Sequence, residues 1–323
     1  MIAMVHPPEE YRHPAGKAGS DYHEPVLMAE VLDALAPAPG ELFVDGTLGG
    51  GGHTEALLSA GARVIAFDQD PEAIAYAKHR LTRFGDQFRT VHTSFAKAAE
   101  ALDALGVGQI NGVLLDIGVS SHQIDAPERG FSFQNDGPLD MRMDPTGLVS
   151  AADLVNTMSA EQLERIFRQF GEEPAARKIA GRIVRDRMVK PFTRTLQLAE
   201  SVESVVPRRG KTHPATRVFQ ALRMAVNREL EALQAGLEQF SARLAPGGRF
   251  AVITFHSLED RAVKQFFKAR TDEWLDRPEW PAPRRNPDHI FQKITGKAVA
   301  ASDAEQTANP RSRSAKLRAV RKI

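Results

Sequence analysis

The amino-acid sequence predicts an α/β fold, a doubly wound and mostly parallel sheet with an inserted helical domain. Short apolar runs that end in an acid or a turn alternate with segments of helical periodicity, the pattern of parallel strands joined by helical crossovers. Four consecutive glycines, Gly49 to Gly52, follow the first of these runs, where a doubly wound sheet brings its backbone to a ligand. The fifth strand-like run begins about 130 residues after the fourth, although a crossover needs only about a dozen.

Residues 1–21 mix Pro, Gly, His and charge without periodicity and are expected to be a disordered tail. Val26, Leu27, Val31, Leu32 and Leu35 then fall at helical spacing, before Pro37 and Gly40. Leu42-Phe43-Val44-Asp45 reads as the first buried strand. Thr54 to Ala60 reads as a helix stopped by Gly61, and Arg63 to Phe67 as a second strand ending at Asp68, which makes a right-handed βαβ unit. Asp70-Pro71 supplies an N-cap and a first-turn proline for a helix carrying Ile74, Ala77, Leu81 and Phe84 on one face. Thr90-Val91-His92 is the third strand, leading to Ser94-Phe95, and Val113-Leu114-Leu115 the fourth, ending at Asp116. Phe250 to Thr254, after the turn Ala245-Pro246-Gly247-Gly248, is the fifth.

The excess length between strands four and five is assigned to an inserted helical substrate-recognition domain over 125–215, in which Ala152 to Phe170 and Ala175 to Lys190 look helical. The main domain is then discontinuous, 22–124 and 216–323. After Phe255 a helix runs to about Ala269, followed by a Trp/Pro/Arg-rich loop. His289 to Thr295 and Lys316 to Val320, separated by a Ser/Ala/Asn linker, are expected to form an edge hairpin.

With 323 residues, 42% apolar and 26% charged, the chain has the composition of a soluble globular protein. No run approaches the ~18 apolar residues of a membrane helix, and the N-terminus lacks the apolar core of a secretory signal, so a cytoplasmic location and no membrane contact are expected. The absence of cysteine excludes disulfides, thiolate metal sites and a thiol nucleophile; no metal is expected. Net charge is only +1, but residues 177–228 hold 13 Lys/Arg against 3 Asp/Glu, and residues 284–323 hold 10 against 3. Two basic segments on an acidic body predict a polyanionic partner. Nucleic acid fits better than membrane, because neither segment has an apolar anchoring face.

The fingerprint G-x-G-x-x-G cannot be placed on Gly46 to Gly52 in any register, and no GK[ST] marks a P-loop. What remains is a glycine loop after strand one and Asp68 at the end of strand two, positioned to accept hydrogen bonds from a ribose diol. S-adenosylmethionine has that ribose and no pyrophosphate. A capping role for Asp68 is the alternative, but Asp70 suits it better.

Several long motifs carry a resemblance. They are Tyr22-His23-Glu24-Pro25-Val26-Leu27, Gly49 to His53, Asp68-Gln69-Asp70-Pro71, Asp116-Ile117-Gly118-Val119-Ser120-Ser121, Arg129-Gly130-Phe131-Ser132-Phe133, Gly137 to Asp144, Phe255-His256-Ser257-Leu258-Glu259-Asp260-Arg261 and Asn309-Pro310-Arg311-Ser312. From about residue 22 to the C-terminus the chain resembles the RsmH (MraW) family. The resemblance implies a Rossmann-like class I S-adenosylmethionine-dependent methyltransferase. Its substrate would be the exocyclic N4 of a cytosine in the decoding region, the P site, of 16S rRNA in the small ribosomal subunit. It also implies cofactor contacts: Gly51, Gly52 and His53 on the methionine and ribose side, Asp68 on the ribose, Phe95 beside the adenine, and Asp116 and Gln123 closing the pocket. His122 stands where a proline is expected.

Cytosine N4 is a poor nucleophile because its lone pair is delocalised into the ring. Hydrogen-bond acceptors would favour its nucleophilic form, and in-line placement can supply ~7–11 kcal/mol of the barrier. The base must also be splayed from its stack. Asp116 sits where methyltransferases of exocyclic amines place a polar residue before Pro-Pro-aromatic, but Ile-Gly-Val follows it here. The aromatic platform then falls to Phe131, Phe133 or Phe255, for each of which core packing is the alternative. Asp116, His256 and Asp260 are the catalytic candidates, with capping or core roles open for the last two. Asp140, Arg142 and Asp144 suggest a salt-bridged loop. Arg208, Arg209 and Lys211 suit phosphate, and Arg311, Arg313, Lys316 and Arg318 offer a second RNA contact. A DNA amino-methyltransferase is the nearest rival, weakened by the missing Pro-Pro-aromatic. A non-catalytic ribosome-assembly factor with the same fold is opposed by the intact glycine loop and Asp68.

Overall fold

The computed structural model describes residues 25–208, 210 and 213–323. The tail expected over 1–21, the motif residues Tyr22, His23 and Glu24, and Arg209 and Lys211 lie outside the described residues.

The chain enters through α1 (Met28–Leu35) and alternates β1 (Leu42–Asp45), α2 (Gly52–Ser59), β2 (Arg63–Asp68), α3 (Pro71–Arg80), β3 (Phe88–His92), α4 (Ala98–Ala104) and β4 (Ile110–Asp116). The short α5 (Ser121–Asp125) precedes α6 (Ala151–Thr157), α7 (Ala160–Gln169), α8 (Ala176–Val189), α9 (Thr195–Glu203) and α10 (Ala215–Asn227). Next come α11 (Glu229–Arg243), β5 (Leu244–Thr254) and α12 (Ser257–Thr271). A small ladder of β6 (Trp274–Leu275) and β7 (Arg284–Arg285) leads to β8 (Phe291–Lys293), β9 (Val299–Ala300), α13 (Asp303–Ala308) and β10 (Lys316–Lys322).

The main sheet runs β3-β2-β1-β4-β5-β10-β8, with β9 also on β10. The first five strands are parallel, and β10 is antiparallel to both β5 and β8. Alternate residues of each central strand point to opposite faces, so both faces must be covered. Phe43, Val64, Ala66, Leu114 and Ile253 join the core under α1, α2 and α3. Val44, Ile65, Phe67, Leu115 and Val252 join the core under α4, α11 and α12. A third core belongs to α6–α10, from Ala151 to Leu222, with Leu139 and Met141 packed into it.

Three expectations need correction. The helical stretch from Ala152 to Phe170 is two helices, because Ser159 forms a capping box with Gln162 and starts α7 afresh. The edge hairpin is an antiparallel pair of β8 and β10, but β10 lies inside the sheet with β5 on its other side. The Ser/Ala/Asn linker contains α13, nucleated by Ser302, whose side chain accepts from the Glu305 N–H, and by Asp303 and Glu305 in the first turn.

Candidate functional site

A cavity of about 420 Å³ opens at the carboxyl ends of β1, β2 and β4, the edge where a doubly wound sheet receives ligands. Of the residues expected to bind cofactor, Gly52, His53, Asp68, Phe95, Asp116 and Gln123 all line it. Gly51 does not. Its left-handed backbone, φ 77°, turns the chain into α2, and the side where a Cβ would stand faces Leu81 and Ala77 of the α3 region. Gly46 is required for closeness: a Cβ there would stand 2.3 Å from Leu115 Cδ2 and 3.2 Å from Phe95 Cβ.

Asp68 holds the two turns that meet over the cavity. Its Oδ2 accepts from the Gly49 N–H at 2.8 Å and its Oδ1 from the Asp70 N–H at 2.9 Å. Burial nevertheless pushes its pKa up to about 6, against the pull of those two bonds. Asp70 is the N-cap of α3 and accepts from the Glu72 N–H, as the sequence predicts. It also receives Arg129 at 2.7 Å and the Gln123 amide at 3.0 Å. Gln123 in turn accepts from the Ser120 N–H at 3.0 Å, closing a capping box. Gln123 therefore braces the turn after β4 against the turn after β2. His122 sits beside it with Nε2 3.4 Å from Glu72.

His53 and Asp116 form the chemical centre of this wall. His53 is buried, and its Nε2 lies 2.9 Å from the Val26 carbonyl. A carbonyl only accepts, so Nε2 carries a hydrogen and Nδ1 is left facing Asp116 Oδ2 at 3.6 Å. Two lone pairs would repel there, so the pair is favourable when one proton sits between them. Asp116 Oδ1 is buried and has no hydrogen-bond partner among the described residues. Burial raises the Asp116 pKa to about 6; His53 pulls it down, while Asp45 and Glu259 push it up.

The opposite wall comes from residues that the sequence did not flag. Arg223 of α10 makes a bidentate pair with Glu229 at the start of α11, both contacts 2.8 Å, and its Nη2 lies 3.9 Å from Glu259. Arg228, left-handed at φ 49°, makes the turn between the two helices. Asn227 accepts from the Met143 N–H and donates to the Met141 carbonyl, both at 2.8 Å, which ties the 141–143 loop to the helix. Arg223, Asn227 and Glu229 all line the cavity. The available signal was Arg223 itself, a cation set among the buried Ala221, Leu222 and Met224.

The remaining candidates separate cleanly. Asp260 is not at the cavity: Arg318 holds it at 2.7 and 3.2 Å, which makes it a structural ion pair. His256 turns away too, with Nε2 2.7 Å from the buried Glu259 carboxylate though outside hydrogen-bonding alignment. Glu259 accepts from the Phe255 N–H at 3.0 Å and so holds the start of α12. Phe133 packs edge-on against Phe219, 4.7 Å between centroids, and Phe131 packs on the same helical core. Phe255 alone of the three lines the cavity. Arg142 binds both Asp140 oxygens at 2.7 and 2.6 Å and the Gly147 carbonyl, while Asp144 accepts from Thr146, so this stretch is a salt-bridged loop. Among the C-terminal cations, Arg311 lines the cavity and pairs with Asp125, while Arg318 and Lys316 are drawn to Asp260.

The strand order, the reversed β10 inside the sheet, the glycine turn after β1 and the acid ending β2 define the Rossmann-like fold of class I methyltransferases. Residues 20–323 match the MraW methylase family, and the chain belongs to that family. Among its relatives is the ribosomal RNA small subunit methyltransferase H of Anaeromyxobacter dehalogenans, 52% identical over 304 residues, covering 93% of this chain and 98% of that one. The protein of the same name from Trichlorobacter lovleyi is 50% identical over 308 residues, covering 94% and 98%. Among the described residues no helix is long and apolar enough to cross a membrane.

Proposed function

We propose that this methyltransferase moves the methyl group of S-adenosylmethionine to the exocyclic N4 of a cytosine in the P-site decoding region of 16S rRNA, in the small ribosomal subunit of the cytoplasm. The observation that carries the reading is the charge of the strand wall. Asp68 and Asp116 line the cavity there with Asp45 buried close by, and none of the three has a Lys or Arg partner among the described residues, an arrangement that suits a cationic ligand. The relatives at about 50% identity support the RNA substrate, and the motif resemblance supports the cytosine amine.

Bound S-adenosylmethionine supplies an electrophilic methyl carbon on a sulfonium. The cavity volume lies within the ~300–1,000 Å³ range of small-molecule sites. Asp68 keeps a lone pair on each oxygen for the ribose hydroxyls, beyond those used by Gly49 and Asp70. Phe95 gives the adenine an apolar face, and Gly52 leaves its backbone bare beside Pro25. Asp116 Oδ1 is the acceptor for an N4–H. Asp116 Oδ1 would take the proton that N4 loses on methylation, with His53 Nδ1 behind it to share the charge. Phe255 is the platform on which the splayed base stacks. The helical insertion assigned to 125–215, with its basic segment and Arg208, is the RNA grip.

The test combines the protein, S-adenosylmethionine and unmethylated small subunits, with nucleoside mass spectrometry as the readout. N4-methylcytidine is the expected product. Methylation of duplex DNA but not of the subunit overturns the proposal, and subunit binding without any transfer favours an assembly factor.

A further inference from the structure

A second cavity, about 110 Å³, opens where α12 crosses β8 and β10, and its charged lining is all cationic. Lys264 and Lys268 come from α12, Lys293 from β8 and Arg318 from β10; Phe267 and Val320 contribute its apolar surface. A Cβ on Gly296 would meet nothing within 4 Å, so that side is open. Asp260, Lys264 and Lys268 recur every four residues and share one face of α12.

The charges do not cancel. Asp260 is taken up by Arg318, with Lys316 at 3.8 Å, and Asp272 lies 3.7 Å from Lys293. Lys264 and Lys268 make no ion pair among the described residues. Like charges converging on a concave, partly apolar surface focus a positive potential, and an anion placed there relieves it. The volume suits one tetrahedral oxyanion and is well below the ~300 Å³ of a nucleotide-sized site.

We propose that this cavity binds a backbone phosphate of the substrate RNA, outside the cofactor cavity. The proposal rests on the functional reading above. RNA is favoured over a small free anion because the cations form a track leading from the site. Lys316 pairs in register with Thr254, the residue before Phe255, and Phe255 lines the cofactor cavity. Arg318 follows two residues later. Lys264 and Lys268 stand about 10 and 16 Å along the α12 axis from Ser257, which follows Phe255 by two residues. Strand and helix thus carry positive charge away from the mouth in the same direction. Lys264 and Lys268 are cations of this cavity that make no ion pair among the described residues, although Lys264 lies near enough to act on Asp260.

The test uses the full chain and unmethylated small subunits, comparing wild type with the Lys264→Gln/Lys268→Gln double variant across a salt series. Subunit affinity is expected to fall roughly tenfold at physiological salt, and the log–log salt slope to decrease by about 1, the contribution of one phosphate. Cofactor affinity and turnover at saturating subunit should not change, and Lys264→Arg/Lys268→Arg should restore binding. Unchanged affinity and salt slope in the Gln variant overturn the proposal. So does photo-crosslinking from position 264 to a ribosomal protein instead of rRNA. If wild type binds subunits but transfers no methyl, the functional reading fails while the binding comparison still decides the phosphate site.

Discussion

The two walls of the cofactor cavity solve opposite electrostatic problems. The strand wall holds Asp45 and Asp68 through short-range bonds to hydroxyls and backbone N–H groups and leaves Asp116 facing His53, the one potential cation there among the described residues. The helix wall buries Glu229 against Arg223 and sets Glu259 between Arg223 and His256, so each carboxylate there faces a cationic or potentially cationic side chain before any ligand arrives. One wall is left electrostatically incomplete where a ligand must complete it. The other is closed, and positions Phe255 and the 141–143 loop through Glu259 and Asn227.

Removing the compensating cation should break the helix wall. Arg223→Ala leaves Glu229 buried with no cation among the described residues and Glu259 with His256 alone, and loss of one partner of a buried pair typically destabilises by about 3–5 kcal/mol. Thermal or urea unfolding reads this directly. Arg223→Met combined with Glu229→Gln should recover most of the loss; if it recovers none, the wall is held by packing and not by charge.

On the strand wall the same kind of change should act on rate instead. Asp116→Asn keeps the shape and removes the charge, and a drop in methyl transfer of about 10²–10³ is expected, as for loss of a single well-placed transition-state contact. Because burial raises the Asp116 pKa to about 6, wild-type transfer should fall as pH drops through that value and the acceptor becomes protonated. Stability runs the other way. A carboxyl that holds its proton more tightly in the folded chain contributes stability below its unfolded pKa of about 4 and loses that contribution as pH rises through about 6. Asp116→Asn should therefore unfold at a higher temperature than wild type at pH 8, with the gain absent at pH 4. A variant destabilised at both pH values would show that His53 depends on the charge.

The strand wall was legible in part. The Asp70 cap follows from its place before Pro71, and Asp68 from the end of β2. Gln123 entered through the resemblance, and its closure on Ser120, like the bond from Gly49 to Asp68, is seen only in the structure. The helix wall was not legible. Glu259 meets Arg223 only because the fold brings the start of α12 near the end of α10, and no spacing rule joins residues on two helices separated by α11 and β5. Asp260 shows the same limit: its place just after the fifth strand made it a candidate for chemistry, while its partner Arg318 lies on the last strand. The broken helix at Ser159 was legible in principle, since Ser-x-x-Gln is a start signal inside an otherwise continuous amphipathic pattern.

The smallest effect offers the sharpest comparison, because chemically matched caps occur in both parts of the molecule. Ser120 caps α5 on the strand wall and Ser159 caps α7 in the helical unit, each through a box with a glutamine three residues on. Replacing either serine by alanine removes one acceptor and should cost about 1 kcal/mol. Only Ser120 has a second task. Its partner Gln123 donates to Asp70, which also receives Arg129, so loosening the box releases one brace between the β2 and β4 turns. Ser120→Ala should thus raise the KM for S-adenosylmethionine several-fold with kcat little changed, whereas Ser159→Ala should leave both unchanged at the same loss of stability. Equal KM values in the two variants would show that the turns hold their geometry without Gln123, and that the strand wall is set by Asp68 alone.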